Sequence, residues 1–174
     1  LNSFVIGVYL QQGAGLPATL AGLASLPISI LMTVGSSWAG SLAGRIGPRV
    51  PMTVGPLLMA AASLLMLSVG EEFDYWTQLL PGILLFGVGL TVTVSPLTAA
   101  ILGSIEPARS GIASAVNNAV ARIAGLLAVA MLGLITGGAL DLAGLHRSLW
   151  VIAALMALGG LVSAMPLTFA ITLA

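Results

Sequence analysis

The sequence predicts an all-α integral membrane protein, and three observations carry that prediction. Apolar residues make up 59% of the 174-residue chain and charged residues only 6%, where soluble domains carry roughly 25% charge. The five arginines and five acids, with no lysine, are grouped so that charge-free runs remain at 1–44, 50–70, 75–105, 110–121, 123–140 and 148–174. A bilayer crossing needs about 20 mostly apolar residues, and most of these runs supply it. A soluble fold would need more polar surface, and disorder would need far lower hydrophobicity. Zero net charge leaves no basic face for nucleic acid. The absence of Cys removes disulfides, thiolate metal sites and cysteine nucleophiles together.

Five whole transmembrane helices and a partial sixth follow in order. Leu1–Leu10 is apolar but too short to cross alone, so it reads as the cut end of a helix. It begins with Leu and lacks a charged leader, which argues against a signal peptide and for a fragment. The full helices are expected at Pro17–Ala43, Val50–Val69, Trp76–Ile105, Ala108–Thr136 and Ser148–Thr172. The connections, at residues 11–16, 44–49, 70–75, 106–107 and 137–147, are too short to hold another domain. Neighbouring helices should therefore run antiparallel in one bundle covering residues 1–174. Arg45, Arg49 and Arg109 fall on one side, which the positive-inside rule makes cytoplasmic. The loop with Glu71, Glu72 and Asp74 falls outside, and Arg147 opposes the assignment, one arginine against three.

Helix surfaces come next. Ala113, Asn117, Ala121, Gly125, Gly133 and Gly137 recur at intervals of four, interrupted by Val129. Ser36, Gly40 and Gly44 do the same in the first full helix. Small residues at this spacing let two backbones approach closely, either as fixed packing or as a sliding surface. Asn118 and Arg122 share a face, being four apart. Counted from Arg109 at 1.5 Å per residue, Arg122 lies roughly 20 Å into the bilayer region. Inserting a central Arg costs at least about 2.5–3.5 kcal/mol, so it needs protein or water around it. It is either a structural Arg in the bundle or a group that meets an anion or another helix's carboxylate. No acid lies inside a helix of this chain. Pro51 sits harmlessly in a first turn. Pro27, Pro96 and Pro166 are expected to kink their helices, with Thr91, Thr93 and Ser95 placed to satisfy carbonyls freed by Pro96.

Catalytic chemistry finds little footing. His146, expected in the 137–147 loop, is the only histidine, and with Asp141 alone nearby it builds no metal site. No membrane Ser has a base at helical spacing, and without Lys there is no phosphate-binding loop. An enzyme is not expected, and neither is a cofactor.

The turn after the first full helix is more specific. Gly40-Ser41-Leu42-Ala43-Gly44-Arg45-Ile46-Gly47-Pro48-Arg49 resembles the cytoplasmic loop motif G-x-L-a-D-R-x-G-r-R/K of major facilitator superfamily transporters. Gly44 stands where the family's first-half copy has Asp, a charge that second-half copies commonly lack. Tyr9-Leu10-Gln11-Gln12, Ala21–Pro27, Glu106–Gly111 and Asn117–Gly125 look like the second half of the 14-helix drug:proton antiporter branch. The resemblance implies a C-terminal transmembrane bundle in a bacterial inner membrane, with the N-terminal six-helix half absent. It further implies proton-coupled efflux of drugs or other amphipathic small molecules by alternating access, with protons and a small-molecule substrate as partners. Gln11, Gln12, Asn117, Asn118 and Arg122 are then the candidates for the substrate cavity, and Gly40, Arg45, Gly47 and Arg49 mark the cytoplasmic loop. Coupling carboxylates would lie in the absent half. A uniporter or symporter of the same superfamily, and a membrane anchor or assembly subunit, are the alternatives.

Overall fold

The computed structural model describes residues 1–70, 73–103, 110–136 and 141–165. The helices are α1 (Asn2–Gln12), α2 (Ala18–Leu23), α3 (Leu26–Ile46), α4 (Arg49–Leu65), α5 (Leu80–Gly103), α6 (Ser110–Thr136) and α7 (Leu142–Ala164). A 3-10 turn, Met66–Ser68, ends α4, and a π-helical turn, Tyr75–Leu79, leads into α5. Five spans are long and apolar enough to cross a membrane, with α2 and α3 counting as one, Ala18–Ile46.

Several expected boundaries move, each for a local reason. The helix expected at Pro17–Ala43 breaks at Ala24–Ser25. Pro27 cannot donate to the carbonyl four residues back and its ring crowds it; that residue is Leu23, where α2 stops. Pro27 thus lies in the first turn of α3 rather than inside a kinked helix. At its far end α3 runs on through Arg45 and Ile46, so the turn shrinks to Gly47 and Pro48. Gln11 and Gln12 close α1 instead of lying in a loop. α7 starts at Leu142, before the expected Ser148, because Asp141 caps it by accepting the Gly144 amide at 2.7 Å. His146 is therefore helical, and its Nε2 lies 2.9 Å from the Val69 carbonyl oxygen. Pro96 sits within a continuous α5. The Thr91 and Thr93 hydroxyls donate to the Gly87 and Gly89 carbonyls, at 2.8 and 2.7 Å, and so do not serve the carbonyl of Val92 that Pro96 frees. The expectations for Ala108, Pro166 and the helix end at Thr172 lie outside the described residues.

The core is a line of helices. α4 packs most extensively against α5 and α7, and α5 in turn against α3. α1 lies against α2 and α7 and is short but deeply set, with Val5, Ile6, Tyr9 and Leu10 buried. These join Met59, Met66, Leu79, Ile83, Leu145, Leu149 and Ile152 in one apolar cluster. Buried Ser63 and Ser148 satisfy their hydroxyls on carbonyls four residues back.

The closest backbone approach is not where the small-residue stripes predict. At the α4–α5 crossing, a methyl group on Gly55 would strike the Thr93 hydroxyl and lie 2.7 Å from the Gly89 carbonyl oxygen. One on Gly89 would lie 2.7 Å from the Gly55 carbonyl oxygen and 3.0 Å from the Met59 amide nitrogen. Two backbones meet there because neither carries a side chain. At Gly40, Gly44, Gly125 and Gly133, by contrast, a methyl would meet nothing within 4 Å. At these four glycines the stripes are thus left uncovered by the described residues, because spacing shows that a surface is smooth but not what lies on it.

Candidate functional site

Two features collect the residues singled out by sequence: the α3–α4 turn and the outer face of α6. In the turn, Gly47 adopts φ 82° and ψ 157°, a region open essentially only to glycine. That conformation reverses the chain within two residues, and Pro48, with its preset φ, starts α4. Arg45 ends up in the last turn of α3, where a cation complements the helix dipole. Arg49 opens α4, and both guanidinium-bearing residues are exposed. Arg49 also lines a cavity of about 270 Å³ with Val50, Thr53, Val54, Ser163 and Ala164, between the start of α4 and the end of α7. The turn therefore gathers two cations at one end of the bundle, as the sequence expects. Gly40 lies one and a half turns earlier on α3, exposed in part and touching nothing at its Cα hydrogen's position.

α6 stands at the edge of the bundle, resting on α5 and α7. Leu132 is its one buried residue among those described. Arg122 is twelve residues from Ser110 and fourteen from Thr136, hence near mid-depth of any bilayer that α6 crosses. Asn117, Asn118 and Arg122 are all exposed. Among the described residues no carboxylate pairs with Arg122, and no hydrogen bond joins it to Asn118. The structure thus keeps these three on one helix and one broad surface. It does not bring Gln11 and Gln12 to them: α1 packs on α2 and α7, and the Gln11 side chain donates to its own helix, at Gly7 (3.1 Å).

The exposure of α6 is informative because it is unequal in cost. Ile112, Val120, Leu126 and Leu134 are apolar and can face lipid. A guanidinium at the same depth cannot do so cheaply. Something polar, protein or water, must cover the Asn118–Arg122 strip.

Sequence reading passes over two features. Asn2 is buried, and neither atom of its carboxamide finds a hydrogen-bond partner among the described residues. Nothing in its spacing marks it, since an Asn near a helix start usually reads as a cap. Tyr75 and Trp76 are the other: the Tyr75 hydroxyl donates to the Ala24 carbonyl at 3.1 Å and joins α5 to the α2–α3 break. An aromatic pair directly after an acid at a helix start is the signal that could have found it.

Comparison with known proteins fits this geometry. The profile of the Major Facilitator Superfamily matches residues 2–129. The chain is 36% identical over 135 residues to the puromycin resistance protein pur8 of Streptomyces alboniger, covering 75% of this chain and 27% of that one. It is 34% identical over 125 residues to the multidrug resistance protein Stp of Mycobacterium tuberculosis, covering 72% of this chain and 23% of that one. It is 30% identical over 141 residues to a probable actinorhodin transporter of Streptomyces coelicolor, covering 79% and 24%. The chain spans about a quarter of the length of these relatives.

Proposed function

The chain belongs to the Major Facilitator Superfamily, and we propose that it is the C-terminal bundle of a transporter that exports amphipathic small molecules in exchange for protons. The observation that carries this is the uncovered strip of Asn117, Asn118 and Arg122 on α6, at mid-depth in a membrane helix. Secondary transporters place their sites near the bilayer midplane between repeated bundles, which then rock about the site. A second bundle opposite α6 would enclose the strip in a polar, water-accessible cavity and remove the cost of the exposed guanidinium. The names of the relatives, which speak of puromycin resistance, multidrug resistance and a probable actinorhodin transporter, support efflux as the direction.

Each side chain then has a role that its chemistry allows. Arg122 supplies a fixed positive charge and a planar fork of donors, suited to an anionic substrate group or to a carboxylate on the facing bundle. Asn117 and Asn118 offer donors and acceptors without charge. Coupling needs a group that gains and loses a proton, and among the described residues no acid lies within a membrane-spanning helix. The proton-carrying carboxylate therefore belongs to the facing bundle, with Arg122 holding it ionised until substrate or proton displaces the pairing.

The test is transport by the whole protein carrying Arg122→Ala. Folded yield should be retained and efflux largely lost, with Arg122→Lys restoring only part of it, since Lys is a point charge without the fork. Loss of folded protein in both variants would instead make Arg122 a structural residue. Normal yield with normal efflux would refute both roles.

A further inference from the structure

α4 and α7 touch at Gly160, where an added methyl would lie 3.0 Å from Leu57 Cγ and 3.2 Å from the Thr53 carbonyl oxygen. Beyond that contact, toward the end of the bundle that carries Arg45 and Arg49, the two helices part. They leave the groove of about 270 Å³ that Arg49, Thr53 and Ser163 line together with Val50, Val54 and Ala164. At roughly 30 Å³ for each water-sized group, this space takes about nine heavy atoms. That is enough for a phosphate and most of a glycerol, but not for an acyl chain.

The polar part of the lining is cationic and unpaired. The Thr53 hydroxyl is committed, donating to the Arg49 carbonyl at 3.0 Å. The Arg49 guanidinium and the Ser163 hydroxyl form no hydrogen bond or ion pair among the described residues. Neither α4 nor α7 carries an acid, so nothing in the walls neutralises Arg49. Arg45, in the last turn of α3, adds charge of the same sign at this end. Arg49 opens the membrane-crossing span Arg49–Ser68, which sets it at the level of lipid headgroups. From there Val50, Val54 and Leu57 run along one face of α4, all three exposed.

We propose that this groove holds the headgroup of an anionic phospholipid from the leaflet at the arginine end. Its phosphate meets Arg49 and Ser163, and its chains lie on the Val50–Val54–Leu57 face of α4. An arginine fork grips phosphate oxygens in pairs, and basic pockets between membrane helices take anionic headgroups for that reason. A zwitterionic lipid would bring a second cation toward Arg49 and gain less. A soluble phosphate would gain the arginine but have nothing to lay on the valines. The walls come from α4 and α7 and include no residue of the α6 strip, so occupancy of the groove does not require the transport reading.

The whole protein in a neutral detergent is titrated with phosphatidylglycerol, or with phosphatidylcholine of the same chains, and bound lipid is counted by native mass spectrometry. Phosphatidylglycerol should bind more tightly, and excess soluble glycerol phosphate should not displace it. Arg49→Gln should weaken phosphatidylglycerol about fivefold, the scale of one arginine beside an anionic lipid surface, and leave phosphatidylcholine unchanged. Ala164→Phe fills the groove without altering a charge and should weaken phosphatidylglycerol as well. Arg147→Gln, near the start of α7 and so at the other end of the bundle, should not. Equal affinity for the two lipids, displacement by glycerol phosphate, or full binding by Arg49→Gln or Ala164→Phe would overturn the proposal. So would an equal loss in Arg147→Gln, which would mark a general effect of charge rather than this groove.

Discussion

Replacing Gly89 should damage the bundle far more than replacing Gly125, although both lie in transmembrane helices. A Cβ at Gly89 would sit 2.7 Å from the Gly55 carbonyl oxygen, whereas ordinary contact begins at 3.4 Å. The obstacle is backbone, so no rotamer change relieves it, and α4 and α5 must separate by about 0.7 Å. A gap of that size forfeits a quarter to a half of the dispersion energy of the contacts it opens. Overpacking of this kind costs roughly 1–3 kcal/mol, set against about 1 kcal/mol of better helix propensity for alanine. Gly89→Ala should therefore lose up to about 2 kcal/mol, and Gly89→Leu more, near or beyond the upper end of that overpacking range. At Gly125 a methyl meets nothing within 4 Å, so Gly125→Leu should leave the bundle folded and, on the proposed function, impair transport instead. The assay is monodisperse yield and thermal unfolding of the purified whole protein, alongside efflux. Equal stability of Gly89→Leu and wild type would refute the assignment of tight packing to the α4–α5 crossing, and unfolding of Gly125→Leu would refute the open surface at Gly125.

Gly47→Ala should destabilise by about 1–3 kcal/mol, since its backbone region is essentially closed to other residues; a melting temperature unchanged from wild type would argue against the turn geometry. Tyr75→Phe removes the hydrogen bond to Ala24 and should cost about 0.5–1.5 kcal/mol, read in the same unfolding assay, with no loss indicating that the bond does not hold the helix break. For sidedness, Ile46→Cys should resist an impermeant thiol reagent in intact cells while Phe73→Cys reacts, because the arginine turn is assigned to the cytoplasm; the reverse pattern would invert the topology.

The helical spans were legible because the solvent dictates them: charges must leave the hydrocarbon region, so the charge-free runs around 50–70 and 75–105 trace α4 and α5 closely. Boundaries set by one local interaction were harder. Asp141 pulls the start of α7 back to Leu142 by capping Gly144, although the Leu-Ala-Gly-Leu stretch after it looks like loop from composition. The break before Pro27 was legible as a distortion but not as a full stop at Leu23. Packing partners were least legible. Gly55 and Gly89 meet because two particular helices cross at that level, a fact of tertiary arrangement that no spacing within either helix contains. The α6 stripe has regular spacing and yet, at Gly125 and Gly133, meets no other described residue. Of the candidate cavity residues, Asn117, Asn118 and Arg122 stand out in the sequence by polarity at depth and lie exposed on α6, whereas Gln11 and Gln12 close α1.

Accessibility of the two faces of α6 tests the central claim most directly. Asn118 shares its face with Arg122, while Val120 points to the other side of the helix, and both are exposed in this chain. With each replaced by Cys in the whole membrane-embedded protein, cleared of other cysteines, a water-soluble maleimide should label Asn118→Cys and leave Val120→Cys unlabelled, with transported compound slowing the reaction. Labelling of Val120→Cys but not of Asn118→Cys, or of neither, would contradict a water-accessible cavity against the Arg122 face.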